Sequence, residues 1–254
     1  MLSWRVLAES VIGTSHLESG IPCQDTSLFL PVFAPAGIPF VVAAVSDGAG
    51  SAIHSESGAK CTVRAIVESA AAQIEVGTFL DEETLLLCFQ DAHEALQCLA
   101  DRLGTPIEDL ACTALMTIAG PEWALMGQIG DGAIVAEISG SPVRCIPSRR
   151  GEYLNETDFL TSLQYRSKIR TTFIEGQNWF AMLTDGLEHL AIRTADDSPS
   201  AGFFTPFIKA LSEPHHDPDV LSVALEGFLS SDRINQKTDD DKTLLLALLD
   251  PLSS

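Results

Sequence analysis

Two kinds of apolar pattern alternate along the chain. Phe40 to Val45 and Trp179 to Leu183 are unbroken apolar runs of strand length, the signature of strands buried on both faces, and Lys242 to Leu249 is a last, largely apolar strand. Residues 4–12, 26–32, 112–118, 123–129 and 133–138 also read as strands, with a turn at Pro35-Ala36-Gly37 and a hairpin turn at Pro121-Glu122. After Ser51 the period changes: Ala59, Val63, Ile66, Val67 and Ala70 fall on one helical stripe. Asp81-Glu82-Glu83 places acids where a helix dipole favours them, and Leu85, Phe89, Ala92, Leu96 and Leu99 carry that helix to about residue 103. Further helices are predicted over 186–192, 203–212 and 217–230. Residues 13–25 are polar and broken by Gly13, Gly20 and Pro22, so they read as a loop. Strands in meander-like runs separated by helix pairs favour an α+β fold of antiparallel sheets covered by helices over a doubly wound one.

Composition narrows the partners. A net charge of -20 disfavours nucleic acid and anionic membrane surfaces. The six cysteines form no CxxC pair, no apolar run reaches the roughly 18 residues of a membrane span, and the N-terminal stretch does not resemble a signal peptide. The expectation is a cytoplasmic protein with reduced thiols. Residues 139–178 differ from the rest: they are turn-rich and hold Arg144, Arg149, Arg150, Arg166, Lys168 and Arg170, six of the 15 basic residues.

The candidate chemistry lies where strands stop. Phe40 to Val45 runs into Ser46-Asp47-Gly48, Leu125 to Ile129 into Gly130-Asp131-Gly132, and Trp179 to Leu183 into Thr184-Asp185-Gly186. Asp239, Asp240 and Asp241 precede the last strand, and Asp25 precedes the second. In an antiparallel sheet the end of one strand lies beside the start of its neighbour, so these acids can converge on one sheet edge. Crowded carboxylates need a counter-charge, and carboxylate oxygens without a His or Cys cluster are the ligand set of Mg²⁺ or Mn²⁺.

Taken in order, Gly13-Thr14-Ser15-His16, Gln24-Asp25, Ser46-Asp47-Gly48-Ala49-Gly50-Ser51-Ala52, Cys112-Thr113-Ala114-Leu115, Gln128-Ile129-Gly130-Asp131-Gly132-Ala133, Thr184-Asp185-Gly186-Leu187 and Asp240-Asp241-Lys242-Thr243 resemble the PP2C-type metal-dependent Ser/Thr protein phosphatases in their compact bacterial form. The resemblance runs from about residue 5 to 249 and implies a single domain over 1–254 with a flap-like insertion at about 139–178. The implied fold is a four-layer α/β/β/α sandwich, two antiparallel sheets flanked by helix pairs. It implies two metal ions, and a third if Asp131 also binds one. Asp47 would bridge the pair, the Gly48 carbonyl would bind one ion, Asp185 and Asp240 the other, and Asp25 would hold metal-bound waters. The implied reaction is in-line attack of a metal-bridging hydroxide on phosphoserine or phosphothreonine. The implied partner is a phosphorylated protein, a Ser/Thr kinase or its targets, met by a monomer.

The chain departs from the family at three places. Ala49 stands where many members carry a His proposed as general acid, leaving His16, His54 and His189 as candidates. No Arg lies between Arg5 and Arg64 to grip the phosphate, so gripping is weaker here or is done by His16 or by the basic segment, with Arg149 and Arg150 its candidates. An acid often follows four residues after the position of Asp185, where this chain has His189 preceded by Glu188. The six bases of 139–178 either attract a phosphopeptide or balance surface acids. A catalytically weak, phosphoprotein-binding relative is the second reading, which the retained Asp47, Asp185 and Asp240 oppose. A structural Ca²⁺ protein is the third, which the absence of an EF-hand spacing opposes.

Overall fold

The apolar runs pair into two five-stranded sheets, antiparallel throughout. In the computed structural model, which describes residues 2–148 and 157–251, sheet one is ordered β1 (Leu2–Val11), β12 (Lys242–Pro251), β9 (Trp179–Leu183), β6 (Ala133–Ile138), β7 (Ser141–Arg144). Sheet two is ordered β2 (Thr26–Phe33), β3 (Pro39–Ser46), β4 (Ala114–Ala119), β5 (Trp123–Ile129), β8 (Arg170–Glu175). Helices α2 (Ser55–Glu75) and α3 (Glu82–Leu103) cover sheet two; α5 (Asp185–Ala191), α6 (Ala201–Ser212) and α7 (Pro218–Leu229) cover sheet one. Shorter pieces are α1 (Thr14–Ser19), α4 (Tyr165–Lys168), α8 (Asp232–Asn235) and a ribbon of β10 (Ile192–Arg193) with β11 (Ser198–Pro199). The α+β, four-layer α/β/β/α sandwich expected from the sequence is the fold observed.

The layering explains the unbroken apolar runs. Successive side chains of a strand point to opposite faces. In β3, Val42 and Ala44 pack under α2 and α3, while Val41, Ala43 and Val45 face the other sheet. In β12, Leu244, Leu246 and Leu248 meet the outer helices, and Leu245 and Ala247 the space between the sheets. Both faces are dry, so neither parity can be polar. Burying a Phe or Met side chain such as Phe180 or Met182 contributes about 1.5–3 kcal/mol, so this central layer is a main source of stability. The start of α3 is fixed by a reciprocal cap, Asp81 accepting from the Thr84 amide while Thr84 accepts from the Asp81 amide.

Two segments differ from expectation. Residues 13–25 contain α1, six residues long and without a buried side chain. Its Gly13 amide bonds to the Asp241 carboxylate and its Ser15 amide to the Asp239 carbonyl, so the helix is capped by groups over 200 residues away that local periodicity does not reveal. Within 139–178, β7 and β8 are the outer edges of the two sheets. Edge strands carry polar residues, and this hid them in a polar stretch. Arg149 and Arg150 lie outside the described residues.

Candidate metal centre

Strand register places the acids. Thr26 pairs with Ser46, which sets Asp25 beside Asp47 one position on. Ala133 and Leu244 both pair with Leu183, which brings the residues before β6 and before β12 to the end of β9, where Asp185 follows. A slip of one residue would turn each acid to the opposite face. The Asp47 amide bonds to Thr113 Oγ1 at 3.0 Å and its carbonyl to the Thr113 amide at 2.8 Å, so β4 holds the end of β3 in place.

The result is a cavity of about 250 Å³ at one end of the sandwich, lined among others by Asp47, Gly48, Asp131, Asp185, Asp240 and His16. One carboxylate oxygen each from Asp47, Asp131 and Asp185 lies within 4.8 Å of the others. Asp131, expected at a third metal position, thus belongs to the tightest group, and Asp240 lines the cavity outside it. Asp25 is buried and does not line the cavity; its Oδ2 accepts from Thr184 Oγ1 at 2.6 Å.

The Asp131 turn is built with care. Gly130 and Gly132 take φ of 91° and 82°, which only glycine adopts freely. Buried Gln128 donates to the carbonyls of Gly130, Asp131 and Gly132. Arg170 donates to the Gly130 carbonyl and Arg144 to that of Gly132, each at 2.8 Å. Thr157 Oγ1 donates to Asp131 Oδ2 at 2.8 Å.

Asp240 is positioned by backbone crowding. A Cβ on Gly13 would lie 2.3 Å from the Asp239 carbonyl oxygen, and one on Gly186 would lie 2.0 Å from that of Asp241. The Asp239–Asp241 backbone therefore threads between two glycines. The Asp241 carboxylate, buried, accepts from the amides of Gly13 and Gln24 at 2.6 Å and lies 3.0 Å from His16 Nδ1. It was not singled out as a site residue from sequence, although it stands where the family pattern meets the start of the last strand.

Electrostatics fit a divalent cation. Burial and the charges of Asp25, Asp185, Asp131 and Asp240 hold the Asp47 carboxyl well above the usual range. Burial, followed by the Asp131 and Asp240 charges, pushes Asp185 up to about 6. Burial outweighs the Thr184 bond and pushes Asp25 up to about 8. These carboxyls resist ionisation until positive charge arrives, and an all-oxygen donor set suits a hard ion.

The basic residues of 139–178 that are described serve the scaffold. Arg144 is buried against Glu188 and Asp197, Arg166 meets Glu83, Lys168 meets Asp158, and Arg170 also bonds to the Pro147 carbonyl. They balance acids and carbonyls instead of waiting for a phosphopeptide. Glu188 is likewise spent on Arg144. Of the three histidines weighed as proton donors, His16 lines the cavity; His54 and His189 do not.

Layers and carboxylate cluster together define a metal-site protein of the α/β/β/α sandwich class. A family profile described as Protein phosphatase 2C matches residues 12–230. Serine/threonine-protein phosphatase 3 of Escherichia coli (strain K12) is 33% identical over 250 residues, 97% of this chain and 99% of that one. The catalytic domain of serine threonine protein phosphatase PstP, solved in complex with 2 manganese ions, matches 98% of this chain and 100% of its own at TM-score 0.62 and 13% identity. Serine/threonine phosphatase Stp1 from Staphylococcus aureus covers 98% and 95% at TM-score 0.61 and 11% identity, a likeness of fold. The chain belongs to the protein phosphatase 2C family.

Proposed function

We propose that this chain is a metal-dependent protein phosphatase that hydrolyses phosphoserine and phosphothreonine. The observation that carries the reading is the meeting of Asp47, Asp131 and Asp185 oxygens within 4.8 Å at strand ends drawn from both sheets. Asp47, Asp185 and Asp240, with the Gly48 carbonyl, would hold two Mg²⁺ or Mn²⁺ ions, and Asp131 would extend the set toward a third. Bound divalent cations supply acidified water and offset charge on the phosphoryl oxygens. Asp25 orients water from behind the cluster, its own carboxylate fixed by Thr184. His16 lines the cavity with its Nδ1 3.0 Å from Asp241 Oδ2, and its ring is the group placed to carry a proton toward the leaving alcohol or to meet the phosphate.

The substrate is a phosphorylated protein, a Ser/Thr kinase or its targets. Six free cysteines fit a reducing cytoplasm, and no helix among the described residues is long and apolar enough to cross a membrane. A monomer suffices, because the cluster draws on one chain. Hydrolysis of an aryl phosphate and of a phosphothreonine peptide, with Mn²⁺ and with chelator, tests the reading. Metal-independent turnover, or full activity in Asp47→Asn, would sink it.

A further inference from the structure

The helices outside sheet one carry a groove that the phosphatase reading leaves unused. Its volume is about 440 Å³, and half-buried Phe203, Phe207 and Phe228 line it. Phe207 lies 5.6 Å from Phe203 and 5.3 Å from Phe228 between ring centroids, in edge-on contacts. Val220 and Val223 of α7, the helix that supplies Phe228, are 65% and 69% exposed.

Charge at the groove runs against the rest of the molecule. Arg233 and Lys237, four residues apart, line it and are exposed. Neither makes a hydrogen bond or ion pair through its side chain with another described residue. By contrast Arg5, Lys60, Arg144, Arg166, Lys168 and Arg193 each meet an acid. Arg64, Arg102 and Lys209 are likewise without a side-chain partner among the described residues, but Arg233 and Lys237 are the two that lie beside three aromatic rings in a groove lined by no acid. Rings flanked by cations complement an apolar side chain next to a carboxylate. A partly open groove lined by residues of α5, α6, α7 and α8 fits a length of polypeptide better than an enclosed metabolite.

We propose that this groove docks a short acidic segment of a partner protein that presents bulky apolar side chains. The elements around it lead to the metal centre. Leu190 reaches the groove from α5, which begins at Asp185 about 8 Å of helix away. Lys237 lies just ahead of Asp240, and buried Lys242 Nζ joins Asn235 Oδ1 of α8 to the Asp240 carbonyl, each at 3.1 Å. A partner held here is therefore held beside the site.

Calorimetry on the full chain tests docking without relying on turnover. The probe is an unphosphorylated, amidated peptide of sequence Ser-Glu-Phe-Glu-Leu-Phe-Glu-Ser, with a Lys-for-Glu counterpart. Saturable 1:1 binding of the acidic peptide, absent for the Lys peptide, is expected. Arg233→Glu with Lys237→Glu should weaken it by about tenfold or more. Gly202→Leu should do so without changing charge, since a Cβ at Gly202 meets only Ser200 Oγ at 3.9 Å. Thermal melts of both variants matching the parent establish that docking, not folding, was lost. No binding by the parent protein, equal binding of the Lys peptide, or unchanged affinity in either variant overturns the proposal. Self-association abolished by the double variant, with no peptide bound, would assign the face to a second copy and overturn it too.

Discussion

Thr184 donates its hydroxyl to Asp25 at 2.6 Å, joining the last residue before α5 in one sheet to the first before β2 in the other. The same oxygen accepts from the Thr243 amide at 3.0 Å. One hydroxyl thus ties three strands at the metal centre. Thr184→Val should cost about 1–3 kcal/mol, because it leaves Asp25 and the Thr243 amide unpaired in a dry site. Mn²⁺ affinity should fall by about tenfold. Thr184→Ser should retain most of both. Denaturant melts and metal titration measure the pair of effects, and a Val variant as stable as the parent would contradict the assignment.

The metal-free chain should be most stable in mild acid. Asp185 and Asp25 have folded-state values of about 6 and about 8 against an ordinary 3.8. The folded state therefore binds more protons than the unfolded one between these limits. The resulting stabilisation is complete below pH 3.8 and is lost as pH rises through 6 and then 8. Melts in EDTA from pH 5 to 9 should show a falling midpoint, and Mn²⁺ at pH 8 should reverse the fall. A flat profile in EDTA would show that the acids are not crowded.

Replacing Asp47 by Asn should separate stability from activity. The amide keeps the shape and cannot ionise, so it removes the cost of holding a carboxyl among crowded acids. The metal-free variant should gain about 0.5–2 kcal/mol over the parent, while metal-dependent turnover drops by about 10²–10³-fold. Chelator-treated melts and aryl phosphate kinetics give both readings.

Arg144 ties β7 to the Asp131 turn and to α5. Arg144→Ala should cost about 3–5 kcal/mol, since Glu188 and Asp197 lose their shared partner and the Gly132 carbonyl its donor. Arg144→Lys should recover little, because one ammonium does not reproduce a guanidinium that contacts Ile146, Gly132, Glu188 and Asp197 together. Urea melts decide it.

The strand ends were readable because apolar runs stop abruptly at Asp47, Asp131 and Asp185, and a dry four-layer core allows no other place for charge. What the sequence did not disclose depends on distance along the chain. That Asp131 joins the tightest group while Asp240 stands outside follows from how β6, β9 and β12 share a register. The work of Asp241 depends on Gly13 and Gln24, over 200 residues earlier. Whether Arg144 and Arg170 attract an anion or balance acids was open in the sequence, because a run of bases shows its charge and hides its partners. The helix α1 was hidden for the same reason: its caps come from the far end of the chain.

The place of β12 in sheet one has a consequence for when the protein becomes active. The strand lies between β1 and β9, and β1 pairs with β12 alone. During synthesis the first strand therefore waits for the last, and Asp240 enters the site with it. Contacts this distant in sequence form late, after the helix-covered sheet two can already have assembled. Until β12 is in place, Asp47 and Asp185 stand without Asp240, and β1 and β9 lack the strand that joins them. A truncation ending before Asp240 should leave β1 and β9 with open edges and the cavity without one of its acids.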